Sequence, residues 1–539
     1  MSRIILVSLF DEFALGVRYI ASSLIEDGHD VRMVFWEGVN SIRPVPLDPD
    51  DPVRVQGTPV YTTKEDLEAL LTEIERLDPD LVGISLTSYF VGLADAVTRG
   101  VHKRLNIPVV WGGVEPTVNP DVAEQFADAV CVGEGEAAMI QLARVLDAPA
   151  LKGKEGRHRL ESLDSPIPNL RIRKEDRWLR SDEGFVHGDL DSLPLPLLDP
   201  DYETYISEGK AHRGVYPSTV RLPHSLVVQS SRGCPFDCSF CCNAVLRKLY
   251  HGGAYVRRIS PQRFVEQLSE ATHRIPGLRM FDILDDVFTF SEGWVSEFAG
   301  LYAAHVGLPF SCNTFPGMAK EKVLSRLKEV GLQSVTFGIQ AGSKRILHDI
   351  FQRDVTRQEI LETACIVKRL NLRCVVDLIG CNPWEIDEER IETVRLLAEL
   401  PKPYVLHKIN RLTFYRGFAL TNRALEEGIP LEIYPGTSTY VAKLGPEHRA
   451  WDALMTLAHF PEVDAESLRP LWENETLMQH PEPLQCLAGA FREAVGFRGD
   501  LYVKKEDRID ELEAELASLK GSRLVRLAIR LRETLRSTR

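Results

Sequence analysis

The chain has 539 residues, of which 44% are hydrophobic and 26% charged, and its formal net charge is -14 at pH 7. Such a chain is too long for one hydrophobic core, and roughly two to four folded domains are expected. The acidic balance argues against nucleic-acid binding by the whole surface. No apolar run is long enough for a membrane span, and the first apolar run is too short for a signal peptide. We therefore expect a cytoplasmic protein.

Residues 1–148 alternate short apolar runs with helical patterns. The helical pattern Lys64–Leu77 follows Thr62 and Thr63, either of which can cap it. Five apolar runs are bounded by Gly, Pro or Asp, as buried parallel strands are: Ile4–Leu9, Val31–Trp36, Leu81–Leu86, Val109–Trp111 and Ala129–Val132. Five strands with crossover helices predict a doubly wound α/β domain of the Rossmann or flavodoxin-like kind.

Residues 149–222 are rich in proline and charge and show little periodicity. Asp189–Asp201 reads DLDSLPLPLLDPD, and each proline biases the residue before it away from helix. We therefore predict a linker over residues 149–222.

Strand and helix patterns alternate again over residues 223–425. Helix-length segments separate six apolar runs: Ser225–Gln229, Met280–Asp285, Phe310–Phe315, Ser334–Gln340, Cys374–Gly380 and Leu406–Phe414. Six βα repeats predict a partial (β/α)6 barrel, whose functional residues lie on the loops after the strands. Residues 426–505 predict a helical region, whose aromatic side chains either cover the substrate or form a helical core.

The end of the chain, residues 506–539, predicts one amphipathic helix. Its first half has leucines and an isoleucine in a 3-4-3 spacing, which is typical of a short coiled coil or a packing helix. Lys520–Arg539 then carries seven basic residues against Glu533 alone. We expect packing on the protein itself or in a homodimer, and at most a peripheral association with a membrane.

Four of the ten cysteines lie within nine residues, in SSRGCPFDCSFCCN. Cys234, Cys238 and Cys241 have a C-x3-C-x2-C spacing, and three thiolates on one loop can hold three irons of a cubane cluster and leave the fourth iron open. Structural zinc normally takes four ligands in two separate pairs, and the sequence has no second pair. A zinc knuckle completed by Cys242, or plain buried cysteines, are the alternatives. Adjacency is expected to point the side chains of Cys241 and Cys242 apart, which makes Cys242 poor geometry for a fourth ligand.

The spacing C-x3-C-x-aromatic-C, with Phe240 as the aromatic residue, resembles the signature of the radical S-adenosylmethionine (SAM) superfamily. The resemblance implies a 4Fe-4S cluster on Cys234, Cys238 and Cys241, with SAM chelating the open iron through its amino and carboxylate groups. It also implies an electron donor such as flavodoxin or ferredoxin. One electron then cleaves SAM to methionine and a 5′-deoxyadenosyl radical, which abstracts a hydrogen atom.

Later segments resemble the same superfamily in the same order, over roughly residues 223–420. FDILDDVFTF resembles an acidic strand end, which implies that Asp285 and Asp286 meet the SAM ammonium. TFGIQAGSKRIL resembles a GIESGS-type segment, which implies that Gln340, where Glu is usual, and Ser343 face the SAM ribose or carboxylate. Arg353 resembles the arginine that follows this segment. Taken singly, each has a structural reading as well, such as a helix cap or a turn.

Segments of the first domain resemble the cobalamin-binding domain that precedes many radical SAM barrels, namely LVGISLTSYF, WGGVEPTVNP and VCVGEGE. Glycine at strand ends lets the backbone approach a ligand closely. Glu115 stands where His is common, and no DxHxxG motif follows the first strand, so we expect no histidine ligand on cobalt. A flavodoxin-like domain kept only for its fold is the alternative. The resemblance implies cobalamin contacts from Ser85, Thr87, Gly112, Gly113, Gly133 and Glu134.

The resemblances together favour a cobalamin-dependent radical SAM enzyme, most of all a methyltransferase acting on an unactivated carbon. One alternative is a radical cyclisation, rearrangement or oxidation with auxiliary or no cobalamin. Another is a non-enzymatic, metal-stapled binding protein. The substrate is expected to be a small molecule, a lipid or a peptide, and no nucleic-acid partner is expected.

Overall fold

The computed structural model describes residues 1–11, 13–37, 53–55, 58–60, 63–148, 156–175, 177–181, 184–217, 224–250, 255–434, 436–460 and 463–494. The predicted C-terminal helix over residues 506–539 lies outside these residues. The chain divides into two compact units. The first unit comprises Met1–Thr314, Lys322–Gln333 and Thr413–Val441. The second comprises Phe315–Glu321, Ser334–Leu412 and the described residues from Ala442 onward.

The first unit begins with alternating strands and helices. The strands are β1 (Arg3–Leu9), β2 (Asp30–Trp36), β3 (Val53–Val55), β4 (Thr58–Val60), β5 (Leu81–Ser85), β6 (Val109–Gly112), β7 (Ala129–Cys131), β8 (Leu170–Arg173), β9 (Trp178–Arg180), β10 (Glu203–Ser207) and β11 (Lys210–Arg213). The helices are α1 (Leu15–Glu26), α2 (Lys64–Leu77), α3 (Val91–Arg104), α4 (Val114–Val118), α5 (Pro120–Ala123), α6 (Glu136–Asp147) and α7 (His158–Glu161). The five predicted strands are confirmed as β1, β2, β5, β6 and β7.

Nine of these strands form one sheet, in the order β11-β10-β2-β1-β5-β6-β7-β8-β9. Its central strands β2, β1, β5, β6 and β7 are parallel, as the continuous apolar runs predict. Helix α2 begins at a capping box, in which Thr63 accepts from the Asp66 amide and Asp66 accepts from the Thr63 amide. Trp36 and Trp111 are fully buried in the core beside this sheet. The doubly wound α/β domain is thus confirmed.

The segment predicted as a linker contributes strands to both edges of this sheet. Strands β8 and β9 extend it antiparallel beyond β7, and β10 and β11 extend it beyond β2. A fully buried ion pair holds β10 at its edge of the sheet, because Arg18 in α1 contacts Glu203 in β10 at 2.6 Å. The linker prediction is therefore corrected in the described part of residues 149–222. Short edge strands tolerate proline and charge, so this sequence does not show the pattern of a central strand.

The rest of the chain also alternates strands and helices. The strands are β12 (Ser225–Val228), β13 (Ser231–Arg232), β14 (Arg257–Arg258), β15 (Met280–Ile283), β16 (Phe310–Thr314), β17 (Leu332–Gln340), β18 (Arg373–Gly380), β19 (Val405–Arg411), β20 (Thr413–Tyr415), β21 (Leu431–Ile433) and β22 (Thr439–Ala442). The helices are α8 (Cys242–Leu249), α9 (Pro261–Arg274), α10 (Glu292–His305), α11 (Glu321–Glu329), α12 (Arg357–Arg369), α13 (Asp387–Glu399), α14 (Ala419–Glu426), α15 (Glu447–Ala458), α16 (Ala465–Trp472), α17 (Glu475–Gln479) and α18 (Glu482–Ala494).

The six strands predicted for the barrel region are present as β12, β15, β16, β17, β18 and β19. In the first unit β12 pairs with β15 and β15 with β16, all in parallel. In the second unit β17 pairs with β18 and β18 with β19, again in parallel. Helices follow these strands, and the helical C-terminal region is confirmed as α15 to α18. No described helix is long and apolar enough to cross a membrane.

Candidate active site

The cysteine loop, residues 233–242, follows β12 and runs into α8. Cys241 occupies the cap position of α8 with extended backbone, and its amide donates to the Cys238 carbonyl at 3.0 Å. Arg247 in α8 reaches back to the Cys234 carbonyl at 2.5 Å and to Asp237 at 2.8 Å. The loop is therefore held by its own backbone and by the helix that it starts, which places the three thiols on one short, constrained segment.

The adjacent thiols of Cys241 and Cys242 hydrogen-bond to each other, and this contact lowers the pKa of Cys241 to about 7. Burial raises the pKa of Cys234 to about 12. The expectation that adjacent side chains point apart is therefore wrong, and it no longer argues against Cys242. The choice of Cys234, Cys238 and Cys241 over Cys242 as ligands therefore depends only on their spacing along the loop, and it stays a prediction.

Among the described residues, no three His, Cys, Asp or Glu side chains converge closely enough to hold one metal ion. A cubane cluster makes a different demand, because each thiolate binds its own iron at a separate corner. Three thiols spread along one loop fit that demand, and the residues present are compatible with a three-thiolate cluster.

A two-strand ladder closes the base of the cysteine loop. In this ladder β13 precedes the loop and pairs antiparallel with β14, so that Ser231 faces Arg258 and Arg232 faces Arg257. On one side the fully buried carboxylate of Asp285 accepts from Ser230 and Ser231 and lies 3.4 Å from Arg258. The Asp285 side chain is thus committed to holding the ladder.

The other side of the ladder binds the glycine loop, residues 133–136, which follows β7. Arg232 contacts Glu136 at 2.6 Å and Glu134 at 3.2 Å, and Arg257 contacts Glu134 at 2.6 Å. Burial opposes ionisation of Glu134, but the hydrogen bond from Arg257 prevails and lowers the pKa of this carboxyl. The two faces of the ladder bind different partners because neighbouring residues of a strand point to opposite faces.

A cavity of about 570 Å³ lies between the glycine-rich strand ends of the sheet and the start of α8, entirely within the first unit. Its volume is in the range of small-molecule sites. The sheet side contributes Ser85, Gly112, Gly113, Thr117, Gly133, Glu134 and Glu136, and the other side contributes Arg232, Gly233, Cys242, Asn243, Tyr250, Tyr255, Arg257 and Asp286. This position, at the carboxyl ends of parallel strands, is where open α/β sheets bind ligands.

The cavity has features that fit a ligand with many amide groups, as a corrin ring has. The Oε2 atom of Glu136 is buried and has no hydrogen-bond partner, although the residue lines the cavity. A side chain at Gly112 would meet only Cys131 at 3.6 Å, so glycine keeps this part of the wall open. Among the described residues that line the cavity there is no histidine. The prediction that cobalt lacks a histidine ligand stays open.

Some of the residues expected to contact cofactors line the cavity, and others do not. Five of the six positions expected to contact cobalamin line the cavity, namely Ser85, Gly112, Gly113, Gly133 and Glu134, whereas Thr87 is exposed and does not. Of the acidic pair, Asp286 lines the cavity and Asp285 does not. Burial raises the pKa of Asp286, against a hydrogen bond from Asn243. Phe240 is half-buried and does not line the cavity.

The remaining expected SAM contacts belong to the second unit. Gln340 ends β17 with a φ of 68°, and its buried Oε1 has no hydrogen-bond partner among the described residues. Ser343 is buried and donates to Glu389 at 2.8 Å. Arg353 donates to the Gly338 carbonyl at 2.7 Å and stacks on Phe315. Gln340 is thus available to a ligand, while Ser343 and Arg353 have structural partners.

Sequence reasoning missed several residues of the cavity wall. Tyr250 and Tyr255 stack with their ring centroids 5.6 Å apart, and Tyr255 donates to Asn243, whose amide reaches Cys241 at 3.5 Å. The aromatic pair and Arg257 follow α8 and belong to no recognised motif. Glu136 lies in the VCVGEGE segment, and its position at the start of α6 could have indicated that it faces the ligand site.

Two family models match the chain. The radical SAM superfamily matches residues 228–397, and the B12 binding domain matches residues 1–143. The first match covers the cysteine loop and the strands β15 to β18. The second covers the strands whose ends form the sheet side of the cavity.

Curated relatives and a solved structure agree with these matches. An uncharacterized methyltransferase from Pyrococcus horikoshii is 26% identical over 466 residues, which are 84% of this chain and 85% of the relative. The cytidylyl-2-hydroxyethylphosphonate methyltransferase of Streptomyces wedmorensis is 27% identical over 63% of this chain and 64% of its own. The radical SAM methyltransferase TsrM of Kitasatospora setae, solved with cobalamin and a [4Fe-4S] cluster, is 14% identical with a TM-score of 0.64, over 92% of this chain and 100% of its own. At this identity the solved structure supports the fold.

Proposed function

Because the chain belongs to the radical SAM superfamily and carries an N-terminal B12 binding domain, we propose that it is a cobalamin-dependent methyltransferase that methylates an unactivated carbon. The observation that carries this proposal is the shared cavity. One wall is the glycine-rich edge of the B12 binding domain, and the other is the start of α8, directly after the cysteine loop. Cys242, next to the predicted ligand Cys241, lines this cavity, so the predicted cobalamin site extends to the predicted cluster loop. Such proximity supports the proposal, because transfer of a methyl group requires the reacting groups to be close together.

Within this proposal, Cys234, Cys238 and Cys241 hold three irons of a 4Fe-4S cluster and leave the fourth for SAM. When bound, the cluster and SAM supply a 5′-deoxyadenosyl radical, and cobalamin supplies the methyl group. Of the acidic pair expected to contact SAM, Asp286 is the one that lines the cavity, and Asn243 hydrogen-bonds to its carboxyl. The stacked pair of Tyr250 and Tyr255 supplies an apolar part of the cavity wall.

Two cofactor measurements test the proposal directly. The anaerobically reconstituted protein should hold four irons and one cobalamin, and under strong reductant it should convert SAM to 5′-deoxyadenosine in the presence of substrate-containing extract. Cobalamin-dependent methyl transfer should also release S-adenosylhomocysteine. A reaction that yields 5′-deoxyadenosine without S-adenosylhomocysteine would favour radical cyclisation, rearrangement or oxidation. No nucleoside product at all would contradict the enzyme assignment.

A glycine substitution tests the cobalamin half separately. Gly112→Val should reduce cobalamin binding at least tenfold, because the new side chain fills the open wall of the cavity without requiring an unusual φ. Gly300→Val in α10 is the matched control, since nothing lies within 4 Å of its new Cβ. Equal cobalamin binding by the two variants, measured from the absorbance of the bound cofactor, would remove the cavity from the proposal.

A further inference from the structure

Arg232 belongs to the short strand that leads into the cysteine loop, and its side chain contacts the glycine loop. We propose that Arg232 is a positioning residue that couples the glycine loop to the cysteine loop, so that binding of the cluster strengthens binding of cobalamin and the reverse. The inference rests on the proposed function, because it assumes that each loop holds its cofactor.

The contacts of Arg232 join two loops that are about a hundred residues apart in the chain. Its guanidinium reaches Glu136 at 2.6 Å and Glu134 at 3.2 Å, and both acids line the cavity on the sheet side. Arg232 itself stands two residues before Cys234. A shift of the glycine loop therefore displaces the backbone directly before the cysteine loop.

The ladder prevents Arg232 from following the glycine loop alone. Arg232 pairs with Arg257 across β13 and β14, and Arg257 holds Glu134 at 2.6 Å. On the opposite face, Ser231 and Arg258 are tied to the buried Asp285. Movement of either loop thus disturbs charged groups that are fixed on both faces of the ladder.

Burial makes these contacts costly to break. Glu134 is 8% exposed and Glu136 is 3% exposed, while the side chain of Arg232, which contacts both, is 25% exposed. Separating such a pair leaves a buried charge without its counter-ion, which is far less favourable than losing a surface pair. The two loops therefore become ordered together. A ligand that orders one loop lowers the free-energy cost of ordering the other, and this coupling is reciprocal.

A thermodynamic cycle tests the coupling without measuring turnover. Hydroxocobalamin affinity is measured by absorbance titration of the cluster-loaded protein and of a Cys234→Ala, Cys238→Ala, Cys241→Ala triple variant. The wild-type background should bind hydroxocobalamin about tenfold more tightly when the cluster is present. With Arg232→Gln added to both proteins, the ratio should fall to about one. Arg326→Gln, in an exposed ion pair of α11, is the charge-matched control and should keep the tenfold ratio.

The outcomes separate a positioning role from a structural one. If Arg232→Gln weakens cobalamin binding equally with and without the cluster, Arg232 only stabilises the fold and the coupling is refuted. Equal affinity of the two wild-type forms refutes it as well. Arg232→Lys, which keeps the positive charge, should retain part of the ratio. If the cluster-loaded wild type binds no cobalamin, the proposed function fails and the coupling fails with it.

Discussion

Buried carboxylates lie beside arginines at two strand ends of this protein, and they behave in opposite ways. At the base of the cysteine loop, Glu134 touches Arg257 at 2.6 Å, and its pKa is lowered although burial opposes this. After β18, Glu385 lies 4.0 Å from Arg390, and burial raises its pKa to about 7. Contacts with two arginines and a backbone amide thus keep Glu134 charged. Burial, one more distant arginine and the neighbouring acids Glu389 and Asp452 leave Glu385 to hold a proton near neutral pH.

The largest expected effect concerns the cysteine loop, which the charged ladder supports. Cys234→Ala, Cys238→Ala or Cys241→Ala should each abolish the four-iron cluster, because each thiolate holds a separate iron. Iron and sulfide analysis after anaerobic reconstitution measures this. Cys242→Ala is the control and should retain four irons. Equal loss in that variant would mean that the ligand assignment among the neighbouring thiols is wrong.

The ladder itself should be sensitive to loss of its central acid. Asp285→Asn leaves Arg258 buried without a counter-ion and should lower the free energy of unfolding by about 3 kcal/mol. Anaerobic urea unfolding followed by tryptophan fluorescence measures the change. Asp286→Asn is the neighbouring control, and it should cost far less because Asp286 lines the cavity. Similar losses in both variants would contradict the separate roles of the acidic pair.

Glu385, the acid after β18, should make the folded protein less stable as the pH rises. The folded state keeps the Glu385 proton up to about pH 7, whereas the unfolded chain releases it near 4.5. The stabilisation is complete below pH 4.5 and is lost as pH rises through 7. Glu385→Gln removes this loss and, at about 1.4 kcal/mol per pKa unit, should be more stable than the wild type by about 3 kcal/mol at pH 8.

A nearby acid provides the opposite control for that experiment. Burial works against ionisation of Glu389, but the hydrogen bond from Arg345 prevails and lowers its pKa. Glu389→Gln should therefore reduce stability at neutral pH, and the difference should shrink as pH falls below 4.5. Unfolding curves at pH 4, 6 and 8 compare the variants. Parallel pH profiles for Glu385→Gln and Glu389→Gln would mean that contact distance does not set the charge state.

The smallest effect is expected where an ion pair is exposed. Arg326 and Glu329 are about half-exposed and 3.3 Å apart on α11. Arg326→Gln should change the free energy of unfolding by about 0.5 kcal/mol or less, because water screens the pair. The same urea experiment measures it. A loss as large as that of Asp285→Asn would show that burial is not what distinguishes the ladder.

Much of this architecture could be predicted from the sequence because it repeats a local pattern. Apolar runs bounded by Gly, Pro or Asp located the parallel strands, and the cysteine spacing located the loop after β12. The pattern could not show which of Asp285 and Asp286 faces the cavity. That choice depends on Ser230, Ser231 and Arg258, which meet Asp285 only in the folded chain.

Contacts between distant segments account for the rest of what the sequence did not reveal. Arg232 and Glu136 are separated by 96 positions, and Arg257 and Glu134 by 123. Neither pair has a spacing that marks it as a contact. The linker prediction for residues 149–222 was wrong for a related reason. Strands such as β8 and β10 owe their conformation to pairing with β7 and β2 rather than to their own composition.

The strands added at both edges of the N-terminal sheet limit how this protein can be cut or recombined. A fragment ending at residue 148 would expose the backbone edges of β2 and β7, which invite aggregation. It would also leave Arg18 buried without Glu203. An expression fragment or a chimaera meant to preserve the B12 binding domain should therefore extend through β11. The structural unit is thus longer than the matched domain, because its last strands are encoded after residue 143.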